Sequence, residues 1–117
     1  HFQEGTYAQA KLVRVIKGRV LDVVLDLRID SETYGQTFSI ELSGENKTQM
    51  FIPRGFAHGY SVLQDDSIFA YKCDNYYRKE TEKGINPMDS SLQIDWRIPR
   101  EHHIISEKDR AWPVLIK

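Results

Sequence analysis

Apolar residues recur along this chain in short runs and alternations divided by turn chemistry. In residues 11–17 and 19–28 they are Val, Ile and Leu, interrupted only at Gly18, which predicts two β-strands meeting at a turn. In the second, Leu21, Val23, Leu25 and Leu27 alternate with Val20, Asp22, Val24 and Asp26, so the odd-numbered face is read as the buried one. Residues 31–35 carry turn chemistry, Phe38, Ile40 and Leu42 alternate with polar neighbours, and residues 43–47 form a second polar turn. Further strands are expected at residues 49–52, 60–63 and 67–73. Short strands at this spacing predict an all-β chain built as a jelly-roll-like, antiparallel barrel.

After Cys73 the pattern changes. Residues 74–84 are polar and aromatic and read as a wrapped edge, while residues 86–91 read as a loop that starts a short helical turn. Ile94-Asp95-Trp96 is a candidate brief strand. Residues 104–110 are a candidate small C-terminal helix with Ser106 as N-cap.

Residues 52–60, Ile-Pro-Arg-Gly-Phe-Ala-His-Gly-Tyr, read as a rim. Pro53 ends the preceding ladder by removing a donor, and Gly55 and Gly59 allow backbone angles that other residues resist. His58 is held between the glycines and aimed into whatever the strands enclose. On its own it also fits a core histidine satisfied by a backbone carbonyl.

The 117 residues fit one domain, with a core that relies on association for part of its burial. Lys plus Arg number 16 against 17 Asp plus Glu, without a block of one sign, so a nucleic-acid surface is not expected. A single cysteine, Cys73, excludes an internal disulfide and points to a reducing, cytoplasmic setting; no apolar run is long enough for a membrane helix. The chain opens at His1 and not at an initiator methionine, from which a missing N-terminal segment is expected.

Pro53-x-Gly55-x-x-His58 matches half of a metal-binding cupin signature, but the earlier strands supply no histidine to complete a metal site. His102 and His103 sit in a charged stretch and read as a solvated tail. No catalytic metal is therefore expected. A barrel lined by histidine, lysine and tyrosine can still move protons next to a carbonyl, given a base, an opposed acid and a donor for the enolate oxygen. Lys11 shares a face with Val13 and Val15, and Tyr71 shares one with Phe69 and Cys73. Singly, these also fit a rim lysine and a core tyrosine bonded to backbone, and Asp109 fits an ordinary helix-start carboxylate.

Several short motifs occur in order along nearly the whole chain: His1-Phe2-Gln3, Gln9-Ala10-Lys11, Glu41-Leu42-Ser43, Ile52-Pro53-Arg54-Gly55-Phe56-Ala57-His58-Gly59, Tyr71-Lys72, Glu82-Lys83-Gly84, Ile94-Asp95-Trp96 and Ser106-Glu107-Lys108-Asp109-Arg110. Together they resemble the dTDP-4-dehydrorhamnose 3,5-epimerase family of sugar-nucleotide enzymes. The resemblance implies a cupin-type jelly-roll barrel, a homodimer, and inversion of C3 and C5 of a dTDP-linked 4-keto-6-deoxy sugar without metal or cofactor. It places His1 on the family's base, Asp109 on the carboxylate that orients it, Tyr71 on the acid and Lys11 near the keto oxygen. His58 falls on a second pocket group, and Glu82 and Lys108 on substrate contacts. Arg97 stands where proline often follows the Ile-Asp-Trp run and is read as a neutral surface change. Inversion at C3 alone, a shift of the ketone, and non-catalytic binding of a sugar nucleotide stay open as alternatives.

Overall fold

The computed structural model describes residues 1–116. Its strands are β1 (Phe2–Gln3), β2 (Lys11–Lys17), β3 (Arg19–Asp26), β4 (Thr37–Ser43), β5 (Gln49–Ile52), β6 (Phe56–Val62), β7 (Ile68–Cys73) and β8 (Glu82–Lys83). One helix, α1 (Glu107–Arg110), lies near the C-terminal end. The strands form two three-stranded sheets, ordered β5-β2-β7 and β4-β3-β6, and a small β1-β8 pair. All pairings are antiparallel.

The two larger sheets face each other across one core. Val13 and Val15 from β2 and Ile52 from β5 pack against Val20 and Val24 from β3 and Leu42 from β4. Burial of each such side chain contributes about 1.5–3 kcal/mol. The odd-numbered face of β3 is buried as expected, at Leu21, Val23 and Leu25, but so is the even-numbered one, and it is the even face, carrying Val20, Asp22, Val24 and Asp26, that lies between the sheets. The odd face is covered because Leu25 and Ala57 pack with Leu92, Ile94 and Leu115 of the C-terminal stretch. A strand covered on both sides buries both alternating sets, so alternation could not choose the inner face.

Strand β6 begins before the expected residue 60. Its register with β3 runs from Phe56 opposite Asp26 to Val62 opposite Val20, which places His58 inside a strand, opposite Val24. Gly55 takes a φ of +92°, as a left-handed turn requires, and a Cβ there would lie 2.6 Å from the Arg28 side chain. Gly59 has a different reason for being small. Its φ is not positive, and the Trp96 ring packs where a Cβ would meet it at 3.3 Å.

The 94–96 run is not a strand. Ile94 joins the second core, and Trp96 Nε1 donates to the Pro87 carbonyl at 2.9 Å. Arg97 is more than a neutral surface change. Its φ of 61° is closed to proline, and its guanidinium pairs with Glu41 at 3.0 Å. The tail reading holds for His102, which is exposed, but His103 is half-buried with Nε2 at 2.8 Å from the Ile98 carbonyl. The helical turn expected within residues 86–91 is present at Ser90–Leu92, where Asp89 accepts from the Ser91 nitrogen.

Candidate active site

Backbone pairing brings three distant stretches together at one mouth of the barrel. His1 and His58 exchange main-chain hydrogen bonds, each 3.0 Å long. The β1-β8 register then sets Gln3 opposite Glu82. Gln3 is buried and holds the 74–78 stretch: its amide donates to the Tyr7 and Tyr76 carbonyls, and its oxygen accepts from the Arg78 nitrogen at 2.8 Å.

Asp109 arrives on α1, whose start follows from its sequence. The Ser106 hydroxyl caps the helix by accepting from the Asp109 nitrogen at 3.1 Å. The Asp109 carboxylate then meets His1 Nε2 at 2.5 Å and also accepts from Trp112 Nε1 at 3.3 Å. The His1 ring stands edge-on to Trp112, with centroids 5.7 Å apart. At the other ring nitrogen, Nδ1 lies 3.3 Å from a Glu82 oxygen. Glu82 also accepts from Lys108 and from the Tyr77 hydroxyl. Burial pushes the Glu82 carboxyl up, but hydrogen bonds from Lys108 and His1 outweigh it and hold the group below the ordinary glutamate value.

The facing wall comes from β2, β6 and β7. Lys11 lies opposite Ile52 and Cys73, and Tyr71 opposite Val13. Tyr71 leads a row of rings: its centroid is 6.0 Å from that of Phe69, which stacks on Tyr60 at 4.6 Å and lies 6.1 Å from His58. Among the described residues neither the Tyr71 hydroxyl nor the Lys11 ammonium has a hydrogen-bond partner, so Tyr71 is not a core tyrosine tied to backbone.

His58 is not satisfied by a carbonyl either. Its Nε2 meets Asp22 Oδ2 at 2.7 Å, and Asp22 is fully buried. Burial pushes the Asp22 carboxyl above the ordinary aspartate value, against the hydrogen bond and charge of His58 and the charge of Lys11. Among the described residues the second oxygen, Oδ1, is buried without a hydrogen-bond partner.

A cavity of ≈ 1170 Å³ is lined by His1, Lys11, His58, Tyr71, Glu82 and Asp109, six of the seven candidates. Lys108 stands behind Glu82. A smaller cavity of ≈ 320 Å³, near Trp96 and His103, is lined by none of them. Among the described residues, no group of three or more His, Cys, Asp or Glu side chains is arranged to hold a metal ion. Asp22, Trp112 and Tyr77 were missed from sequence. Asp22 carried a signal, since a carboxylate inside an apolar central strand requires a partner. Trp112 and Tyr77 carried none.

A cupin-like jelly-roll barrel, open at one mouth and lined by a carboxylate-held histidine, a lysine and an unpartnered tyrosine, has the chemistry of a proton-transfer pocket. The family model described as dTDP-4-dehydrorhamnose 3,5-epimerase matches residues 1–117, and the chain belongs to that family. It is 47% identical over 109 residues to the dTDP-4-dehydrorhamnose 3,5-epimerase of Shigella flexneri, covering 93% of this chain and 59% of the relative. The crystal structure of dTDP-4-dehydrorhamnose 3,5-epimerase from Elizabethkingia anophelis superposes with a TM-score of 0.94 at 53% identity, covering 97% of this chain and 62% of that one. The Legionella pneumophila dTDP-6-deoxy-D-glucose-3,5-epimerase, solved in complex with dTDP-4-keto-L-rhamnose, superposes with a TM-score of 0.90 at 45% identity, covering 97% of this chain and 59% of that one. The chain thus spans about three fifths of the length of these relatives.

Proposed function

We propose that this chain carries the catalytic barrel of a cofactor-independent epimerase that inverts C3 and C5 of a dTDP-linked 4-keto-6-deoxy sugar. The observation that carries the reading is that a carboxylate-held histidine and an unpartnered tyrosine line one cavity. Asp109 accepts from His1 Nε2, which fixes the tautomer and leaves Nδ1 as the base. The 4-keto group acidifies the hydrogens on C3 and C5. His1 takes one as a proton, and the C–H electron pair moves into the carbon skeleton to give an enolate. Lys11 and the Asp22-held His58 meet the charge on O4. Tyr71 gives its proton to the same carbon from the opposite face, which inverts the centre. Tyr71 regains a proton from solvent and His1 releases one, so no net proton is consumed. The step needs neither metal nor redox cofactor. Glu82 faces the substrate from the cavity wall, and Lys108 supports it from behind.

Two further elements belong to this reading. A second copy covers the outer face of β5-β2-β7, where Leu12 and Phe51 stand opposite each other and exposed. The setting is cytoplasmic, consistent with the exposed free thiol of Cys73; among the described residues, no helix is long and apolar enough to cross a membrane.

Following dTDP-4-keto-6-deoxyglucose by NMR tests the function. The expected product is inverted at C3 and C5. Inversion at C3 alone, migration of the ketone, or binding without turnover would each replace the reading with one of its alternatives.

A further inference from the structure

Both ring nitrogens of His1 face carboxylates: Asp109 at 2.5 Å from Nε2 and Glu82 at 3.3 Å from Nδ1. A neutral imidazole offers one N–H and one lone pair, so one of these carboxylates would oppose a lone pair. Only the imidazolium satisfies both. Glu82 is itself shared, since the Lys108 ammonium and the Tyr77 hydroxyl both bind its other oxygen, Oε1. The charged and titratable groups around the ring are therefore Asp109 and Lys108 from α1, Glu82 from β8, Tyr77 from the stretch before it, and the α-ammonium of His1 itself, which donates to the His58 carbonyl at 3.0 Å and is common to every variant compared below. His58 contributes only backbone contacts, and Trp112 an uncharged edge.

We propose that Glu82 and Lys108 form an opposed pair that sets how readily His1 holds a proton, the carboxylate strengthening its hold and the ammonium weakening it by drawing on the same carboxylate. In this arrangement Glu82 and Lys108 are positioning residues. Glu82 stabilises the imidazolium formed when His1 abstracts a proton. Lys108 prevents that stabilisation from leaving the base permanently protonated, the balance a general base needs near its working pH. The proposal deepens the epimerase reading, because it concerns the residue taken there as the base.

The test uses the whole chain with isotopically labelled histidine and no substrate. The ring signals of His1 are assigned by their loss in His1→Gln and followed by NMR across a pH titration. Glu82→Gln is expected to move the His1 midpoint down by about one pH unit, within the range produced by a charged neighbour at this distance. Lys108→Met, which keeps the aliphatic stem beside Trp112, is expected to move it up. Shifts of the same sign, or an unmoved midpoint in either variant, overturn the proposal. If Glu82→Gln fails to fold, the half-exposed Lys108 position still decides the matter: an upward shift supports the pair and its absence overturns it. The readout does not depend on turnover. A chain inactive on the keto sugar but showing opposed shifts keeps this pair and loses the epimerase reading.

Discussion

Asp22 on β3 binds His58 on β6 diagonally, Oδ2 to Nε2 at 2.7 Å, although the residue directly opposite His58 is Val24. The carboxylate orients the imidazole from beneath, and Lys11 adds its positive charge nearby. Asp22→Asn keeps the shape and loses the charge. Turnover is expected to fall about 10²-fold, the scale of a misplaced catalytic group.

The same substitution has a pH signature. Burial raises the folded-state value of Asp22, so above the ordinary aspartate range of about 4 the native state holds more protons than the unfolded one. Wild-type stability therefore loses ground as pH rises through that window. Asparagine cannot ionise, and urea midpoints for Asp22→Asn should gain on wild type from pH 4 upward. A constant difference across that range would contradict the burial argument.

Asp26 carries the opposite sign. It is buried and accepts from the Arg28 guanidinium at 2.9 and 3.0 Å, with the Ser31 and Thr33 hydroxyls at 2.6 and 2.5 Å. The Arg28 contact leads in holding its carboxyl far below the ordinary aspartate value. The stability this gives is fully present above the unfolded value of about 4 and drains as pH falls below it, because there the unfolded state binds more protons. Asp26→Asn should lower stability at pH 7 and flatten the acid limb of a denaturation series. Equal acid sensitivity of variant and wild type would place the acid-labile group elsewhere.

Much of this architecture was legible in the residue pattern, and the exceptions have physical causes. Strands β2 and β5 fall where alternation and Pro53 put them, and the Ser106 cap predicts α1. The odd face of β3 is buried as alternation predicted, but the burial of the even face was not legible because that strand is covered on both sides. His58 was placed at a turn because its flanking glycines resemble one, whereas one of them exists to admit Trp96. The pairing of His1 with Asp109 joins ends of the chain that no local pattern connects, and only the family resemblance placed them together. Asp22 was visible as a charge in an apolar strand, but its partner was not.

The base and the acid should separate kinetically. His1→Asn is expected to lower turnover by about 10²- to 10⁴-fold, the span of a positioned acid or base. Asp109→Asn should fall in the same direction through the wrong tautomer, as should Trp112→Phe to a smaller extent through a looser Asp109. Steady-state rates across these variants check the order; near-normal turnover of His1→Asn would remove it from the role of base.

Association should be visible in solution. Leu12 and Phe51 expose apolar surface on an otherwise finished sheet, and the proposed homodimer would cover it. Light scattering at micromolar concentration is expected to give twice the chain mass, and Phe51→Glu to shift it toward the monomer. A wild-type monomer at high micromolar concentration would contradict this.

The central claim is that His1 and Tyr71 work on opposite faces of one sugar ring, and hydrogen exchange measures it most directly. Wild-type protein incubated with dTDP-4-keto-6-deoxyglucose in deuterated water should place deuterium at both C3 and C5 of the inverted product. Tyr71→Phe should still wash substrate hydrogen into solvent while inversion slows far more. Absence of deuterium at both carbons with wild type, or equal slowing of exchange and inversion in Tyr71→Phe, would contradict the account.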